Sequence, residues 1–428
     1  ILTGGRGQFP IGIDHCNLCD KWRPYSRSVY NDNMEDLDRY RSEFPILEST
    51  TYMISHSLGA MPRKVYDKLR SYADLWCTRG IRAWAEGWWD MPVTTGNLIA
   101  SLIGANPGEV VMHQNVSVAV SVILSSFIYN PPRNKILYFN VDFPTVIYVL
   151  ETQKKRGAEV VCIPSTEGLR VPIDAMLDAI DERTLLVSLS YVFFKNSEKV
   201  DVDANVKKAH DNGAYVLLDV YQATGTVPVD VQRMNIDFLV GGSVKWLCGG
   251  PGAGYLYVNP QLYDRIEPAV TGWMAHEHPF AFETGPIKYA QNSMRFLHGS
   301  PQIPALYAAE AGYELINKIG VEQIRQKSLR QTDLIFKLCN KYGYKTHTPR
   351  SADQRGGTVV VDVPHGDAIL KELAARNVLA DYRPDAGIRI SPHFYTLDSE
   401  IETTFEIMEE IRKTRSYEKH LQQKGSLY

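Results

Sequence analysis

Two residues of complementary chemistry stand at the ends of apolar runs. The run Tyr215-Val216-Leu217-Leu218 ends in Asp219, and Phe238-Leu239-Val240-Gly241-Gly242 leads into Ser243 and Lys245. A glycine-rich stretch, Gly249-Gly250-Pro251-Gly252-Ala253-Gly254, follows at once. Read as parallel strands, both runs release their polar residues at the carboxyl edge of one sheet, where open α/β proteins bind ligands. An amine beside a carboxylate at that edge can hold an aromatic aldehyde. The amine condenses with the carbonyl, and the carboxylate keeps a ring nitrogen protonated so that the ring accepts electrons. Pyridoxal 5'-phosphate requires this pairing, with Lys245 as the Schiff-base residue and Asp219 facing the ring. Either residue alone has an ordinary explanation, a helix cap for Asp219 and a solvated turn for Lys245. Their combination with the glycine-rich turn carries the reading.

The elements that must position this pair are those of a mixed α/β chain. Lys135–Phe139, Val160–Ile163 and Leu185–Leu189 are short apolar runs that alternate with helical stretches such as Val202–Asn212. Such runs imply a mainly parallel sheet covered by helices on both faces. Further along, helices are expected over Ala305–Ile319, Val321–Cys339, Ala368–Arg376 and Asp398–Arg415, the last capped by Asp398 or Ser399. Strands are expected at Gly357–Val363 and Arg389–Ser391. The implied organisation is an arm over 1–35, a large domain over 36–310 and a small α+β domain over 311–428, with 36–60 packing on the small domain.

Of the 428 residues 44% are hydrophobic and 22% charged, with a formal net charge of -3, which places the chain among globular proteins and argues against nucleic acid as the main partner. No apolar run reaches the length of a membrane-spanning helix. The six cysteines are mostly scattered, which fits a reduced, cytoplasmic setting. Cys16 and Cys19 form one Cys-x-x-Cys pair beside His15, but no second ligand pair accompanies it, so no metal is expected.

The stretch from Lys245 to Gly252 resembles the class V branch of the pyridoxal-phosphate enzymes of aspartate aminotransferase-like fold, and kynureninase in particular, which has a Lys-aromatic-Leu-x-Gly-Gly-Pro-Gly run after its cofactor lysine. Gly272-Trp273-Met274-Ala275-His276 resembles that family's Gly-Trp-x-x-His, and Phe296-Leu297-His298-Gly299-Ser300-Pro301 its Phe-x-x-Gly-Thr-Pro. Ser57-Leu58-Gly59-Ala60-Met61-Pro62 resembles its Asn-Ser-Leu-Gly-x-x-Pro. The resemblance implies a large domain with a mainly parallel sheet, a small C-terminal domain, and a homodimer with the active site at the subunit interface. It implies that Phe143 stacks on the cofactor ring, Gln222 approaches the ring oxygen, and Ser243 lies at or near the phosphate. Val116 and Ser117, at the start of a helix expected over Val118–Phe127, suit the phosphate through free N–H groups and the helix dipole. Trp273 and Ser300 reach the same phosphate from a neighbouring subunit. Arg389 clamps the substrate α-carboxylate, a task that favours a planar guanidinium, with His56 and Ser57 beside the substrate.

Departures from the kynureninase pattern gather where that family recognises its substrate. His56 stands where Asn is usual, Ile81 where a His is expected, Val146 where Asp lies near the cofactor, and Val244 where a Tyr precedes the lysine. The implied activity is therefore a hydrolase or lyase acting on the side chain of an α-amino acid other than kynurenine. A class V aminotransferase or epimerase shares the same cofactor residues and stays open, as does an inactive scaffold of the same fold. A cysteine desulfurase needs a mobile cysteine near the carboxylate-binding arginine, and Val378–Tyr395 contains none.

Overall fold

Short strands of Val, Ile and Leu without a polar face are buried on both sides, and they form the centre of this protein. The computed structural model describes residues 36–166 and 169–422, so the expected arm over 1–35, with Cys16 and Cys19, lies outside the described residues. The strands run in chain order as β1 Thr51–Tyr52, β2 Val110–His113, β3 Lys135–Phe139, β4 Glu159–Ile163, β5 Thr184–Ser190, β6 Tyr215–Asp219 and β7 Phe238–Gly242. They continue as β8 Gly254–Val258, β9 Lys345–Thr346, β10 Val359–Asp362, β11 Val378–Leu379, β12 Asp381–Arg383 and β13 Gly387–Ile390. The helices are α1 Val65–Arg79, α2 Met91–Ile103, α3 Val116–Ser125, α4 Pro144–Thr152 and α5 Ile173–Ala179. They are followed by α6 Val202–Asp211, α7 Ile303–Ile319, α8 Val321–Tyr342, α9 Gly366–Ala375 and α10 Asp398–Thr414.

Seven strands make the main sheet in the order β2-β8-β7-β6-β5-β3-β4, parallel except for β8, which runs against both of its neighbours. Alternate side chains serve two cores. Leu137, Phe139, Val216 and Leu218 join one, while Ile136, Tyr138 and Leu217 join the other. A four-stranded antiparallel sheet, β12-β13-β10-β9, packs with α8, α9 and α10 around a third core that contains Val359, Ile388, Leu373 and Phe405. The chain near residue 50 joins it: β1 pairs with β11, and Met53 lies in this third core.

Two sequence expectations shift. The boundary placed at 310/311 falls inside α7, whose buried residues Leu306, Tyr313 and Ile316 belong to a core of the seven-stranded sheet. Val321 and Ile324 belong there too, so α8 joins the third core only from Ile335 onward. Neither Asp398 nor Ser399 caps α10. The cap is Leu397, whose N–H donates to the Glu400 carboxylate at 2.9 Å. Asp398 turns instead to Arg330 and, at 3.1 Å, Gln331 on α8, because an ion pair between helices is open to it in the folded state.

Candidate active site

β6 and β7 are neighbours with Asp219 opposite Val240, so the strand carrying the acid and the strand leading to the lysine finish side by side. The two glycines closing β7 are required by packing. A Cβ on Gly241 would lie 2.1 Å from the Tyr255 hydroxyl, and one on Gly242 would lie 2.5 Å from the Tyr221 ring. Beyond them the Lys245 loop is held by a distant segment. The Gly59 N–H donates to the Val244 carbonyl at 2.6 Å, and a Cβ on Gly59 would stand 2.1 Å from the Lys245 carbonyl oxygen. Ser243 donates its hydroxyl to the Gly250 carbonyl at 2.6 Å, closing the glycine-rich turn from within.

Asp219 and Lys245 sense each other. Burial raises the Asp219 carboxyl above its ordinary range, opposed by the Tyr221 N–H, which donates to it at 2.8 Å, and by Lys245. Burial lowers the Lys245 amine, opposed by the Asp219 charge, while Arg389 and Arg383 push it down further. The Lys245 Nζ stands 5.4 Å from the Phe143 ring centroid and 4.5 Å from that of Tyr221. Phe143 caps α4, with Pro144 at the first helical position, and remains 44% exposed beside Phe194.

The Arg389 end of the site is a buried network. β12 and β13 pair with Asp381 opposite Arg389. Arg389 donates through Nη2 to Asp381 and through Nη1 to the Phe194 carbonyl at 2.8 Å, while its buried Nε has no partner among the described residues. Asp381 also accepts from Arg383 at 2.9 Å and meets the His56 Nε2 at 3.3 Å. Burial, reinforced by the Arg389 charge, lowers His56 to about 3, so its ring is neutral. With Nε2–H turned to Asp381, Nδ1 accepts from the Ser391 hydroxyl at 2.6 Å. His56 thus has both ring nitrogens engaged and reaches the site through Asp381 and Arg389. Its carbonyl accepts from Gln222 at 3.1 Å, and the Gln222 oxygen accepts the Trp246 indole N–H at 3.1 Å, so the Gln222 amide braces two segments. Ser57 is half-buried beside this network.

On the other side of the sheet edge, Asn115 caps α3, accepting from the Val118 N–H at 3.0 Å. α3 starts at Val116, two residues before the expected Val118, which puts Ser117 in the first turn rather than before it. The opening N–H groups of α3 therefore have no acceptor within the helix. Trp273 and Ser300 are exposed, and no hydrogen bond or ring contact joins either to Lys245, Asp219 or Arg389 among the described residues. Trp273 belongs to a surface group with Trp89 at 5.0 Å, Phe280 at 6.0 Å and Phe282 at 6.3 Å. Val146 is 2% exposed and lies in the core, while Ile81 is 82% exposed. Sequence reasoning missed Asp381, Arg383 and Tyr221. The signal for Asp381 was available, because a hairpin turning before Gly387 sets it opposite Arg389.

A buried carboxylate and a buried amine that influence each other fit pyridoxal phosphate, as do an exposed aromatic ring over the amine and a helix start with free N–H groups. A buried arginine, Arg389, whose Nε has no partner among the described residues, completes the set. Comparison with known proteins agrees. The class-V aminotransferase family matches residues 52–381. Kynureninase of Pseudomonas fluorescens is 31% identical over 402 residues, covering 90% of this chain and 94% of the relative. Kynureninase of Bacillus anthracis is 26% identical over 411 residues, covering 92% and 95%. Among solved structures, the apo cysteine desulfurase of Thermococcus onnurineus NA1 superposes with a TM-score of 0.78 at 20% identity, covering 89% of this chain and 99% of that one. The cystine C-S lyase C-DES in complex with cysteine persulfide gives 0.77 at 19% identity, covering 86% and 99%; likenesses this distant speak for the fold alone. This chain belongs to the class-V aminotransferase family and is a kynureninase-like, pyridoxal-phosphate-dependent enzyme of lyase type.

Proposed function

We propose that the enzyme cleaves a carbon–carbon bond or a Cβ substituent in the side chain of an α-amino acid other than kynurenine. One observation carries this reading. The strand that ends in Asp219 and the strand that leads to Lys245 finish side by side, and Arg389 is buried with an Nε that has no partner among the described residues. In this reading Phe143 stacks on the cofactor, Asp219 faces its ring nitrogen, and Val116 and Ser117 receive its phosphate, with Ser243 and Gln222 bracing the surrounding loops. Bound pyridoxal phosphate supplies an electron-withdrawing ring that stabilises negative charge at the substrate α-carbon. Arg389 fixes the carboxylate, His56 and Ser57 shape that end of the pocket, and Lys245 takes the α-proton. A lysine held below its ordinary pKa by burial is suited to that base role.

The exclusion of kynurenine rests on the substrate side. Position 146 is buried aliphatic core, position 81 is a solvent-facing isoleucine, and His56 is committed to Asp381 and Ser391. A homodimer accords with the exposed Trp273, Phe280 and Phe282 packed on half-buried Trp89, which a second copy would cover while bringing Trp273 and Ser300 to its partner's site. A cytoplasmic setting accords with the four free thiols, Cys77, Cys162, Cys248 and Cys339, among the described residues. Division into a large and a small domain accords with the separate third core.

Incubation with a panel of amino acids, followed by mass analysis of products, should show side-chain cleavage for one member and no turnover of kynurenine. Borohydride reduction and peptide mapping should place the cofactor on Lys245. A label on another residue, or turnover of kynurenine at rates comparable with the best substrate, would overturn the corresponding part of this reading.

A further inference from the structure

Tyr221 has no part in the chemistry above, yet its ring comes closer to the Lys245 amine than Phe143 does, at 4.5 Å against 5.4 Å. Both distances run from one nitrogen to a ring centroid, and among the described residues the two rings have different neighbours: Phe143 meets Phe194, while Tyr221 packs against the core on the α3 side of the sheet. The amine is therefore within reach of two separate aromatic rings. A flat ring stacked at van der Waals distance on both faces needs roughly 7 Å between its walls, and the two centroid distances from the shared amine leave room for that spacing.

The Tyr221 ring is also firmly placed. The backbone N–H of Tyr221 donates to the Asp219 carboxylate at 2.8 Å. Its Cε2 and Cζ would lie 2.5 Å from a Cβ at position 242, so the strand leading to Lys245 has given up a side chain to admit it. Tyr221 is thereby tied to Asp219 and fitted against the strand that leads to Lys245. We propose that Tyr221 is a cofactor-binding residue, the second aromatic wall of a slot whose first wall is Phe143, so that the flat ring of pyridoxal phosphate is held between two aromatic side chains.

The test uses the full chain freed of cofactor and titrated with pyridoxine 5'-phosphate, which has no aldehyde and so binds without bonding to Lys245. Protein fluorescence reads the affinity. Tyr221→Leu should weaken binding by roughly three- to tenfold, whereas Tyr221→Phe, which keeps the wall, should bind within about twofold of the parent. Gly242→Ala, whose methyl forces the ring aside, should weaken binding as Tyr221→Leu does, and it serves as the test if the leucine variant fails to fold. Unchanged affinity in Tyr221→Leu, or in Gly242→Ala where that variant stands in, would show that the ring stands clear of the ligand. Tighter binding would show that the tyrosine fills the ligand's space when the site is empty. Either result overturns the proposal.

Discussion

Replacing Gly59 by alanine tests whether a segment far from Lys245 in sequence sets the position of that lysine. The added methyl would lie 2.1 Å from the Lys245 carbonyl oxygen, 2.9 Å from the Cys248 sulfur and 3.0 Å from the Cys248 Cα. Relaxed carbon–oxygen contacts exceed 3 Å, so roughly 1 Å must open between the two segments. The loop cannot simply retreat. On α7 a Cβ at Gly312 would already be 2.1 Å from the Leu247 carbonyl oxygen, and at Gly225 one would be 2.8 Å from that of Trp246. Overpacking of this kind costs about 1–3 kcal/mol, and loss of the Gly59 N–H bond to Val244 adds about 1 kcal/mol, giving roughly 2–4 kcal/mol of lost stability. A lysine displaced by that distance should also lower kcat by about a hundredfold. Urea unfolding of the cofactor-free protein reads the first quantity, and steady-state turnover reads the second. Stability within about 0.5 kcal/mol of the parent, with unchanged turnover, would refute the claim that this contact constrains the loop.

Other perturbations address the rest of the site. Arg389→Lys replaces a planar fork by a point charge and should raise the KM for the amino-acid substrate by roughly tenfold or more; an unchanged KM would remove the carboxylate clamp from this account. Asp219→Ala should weaken cofactor binding and slow turnover strongly, and turnover at the parent rate would rule out the electron-sink partner. His113 is buried with neither ring nitrogen partnered among the described residues, and burial lowers it from 6.5 to about 3. Its imidazole protonates near pH 6.5 in the unfolded chain and only near pH 3 in the folded one. The folded state therefore has its full stability from this group above pH 6.5 and loses it as pH falls toward 3, by up to about 1.4 kcal/mol per pH unit. His113→Leu should flatten the curve of urea midpoint against pH in that window, and parallel curves for the two proteins would contradict the assignment.

Much of the architecture was legible because it is written locally. The strand Lys135–Phe139 matches its apolar run residue for residue, and helices α6 to α10 lie within a few residues of their expected bounds. The α10 cap was misjudged because Asp398 has two uses for its carboxylate, and the one that prevails depends on α8 lying alongside. The 310/311 boundary was misplaced because α7 has the same periodicity whichever core it faces; only contact with α1 and α2 assigns it to the larger sheet. The hydrogen-bond partners of His56 and Gln222 were hidden for the same reason, since each is bonded to a residue more than a hundred positions away.

By itself the sequence determined which groups reach the sheet edge, because an apolar run and the polar residue that ends it are neighbours along the chain. Asp219, Lys245 and the turn after them are of that kind. Tertiary structure decided what presses on those groups: Gly59 on the Lys245 carbonyl, Tyr221 over its amine, and Asp381 with His56 on the Arg389 guanidinium. These are contacts between segments separated along the chain or across strands. Their energies exist only once the sheets and helices are stacked, so no local pattern encodes them.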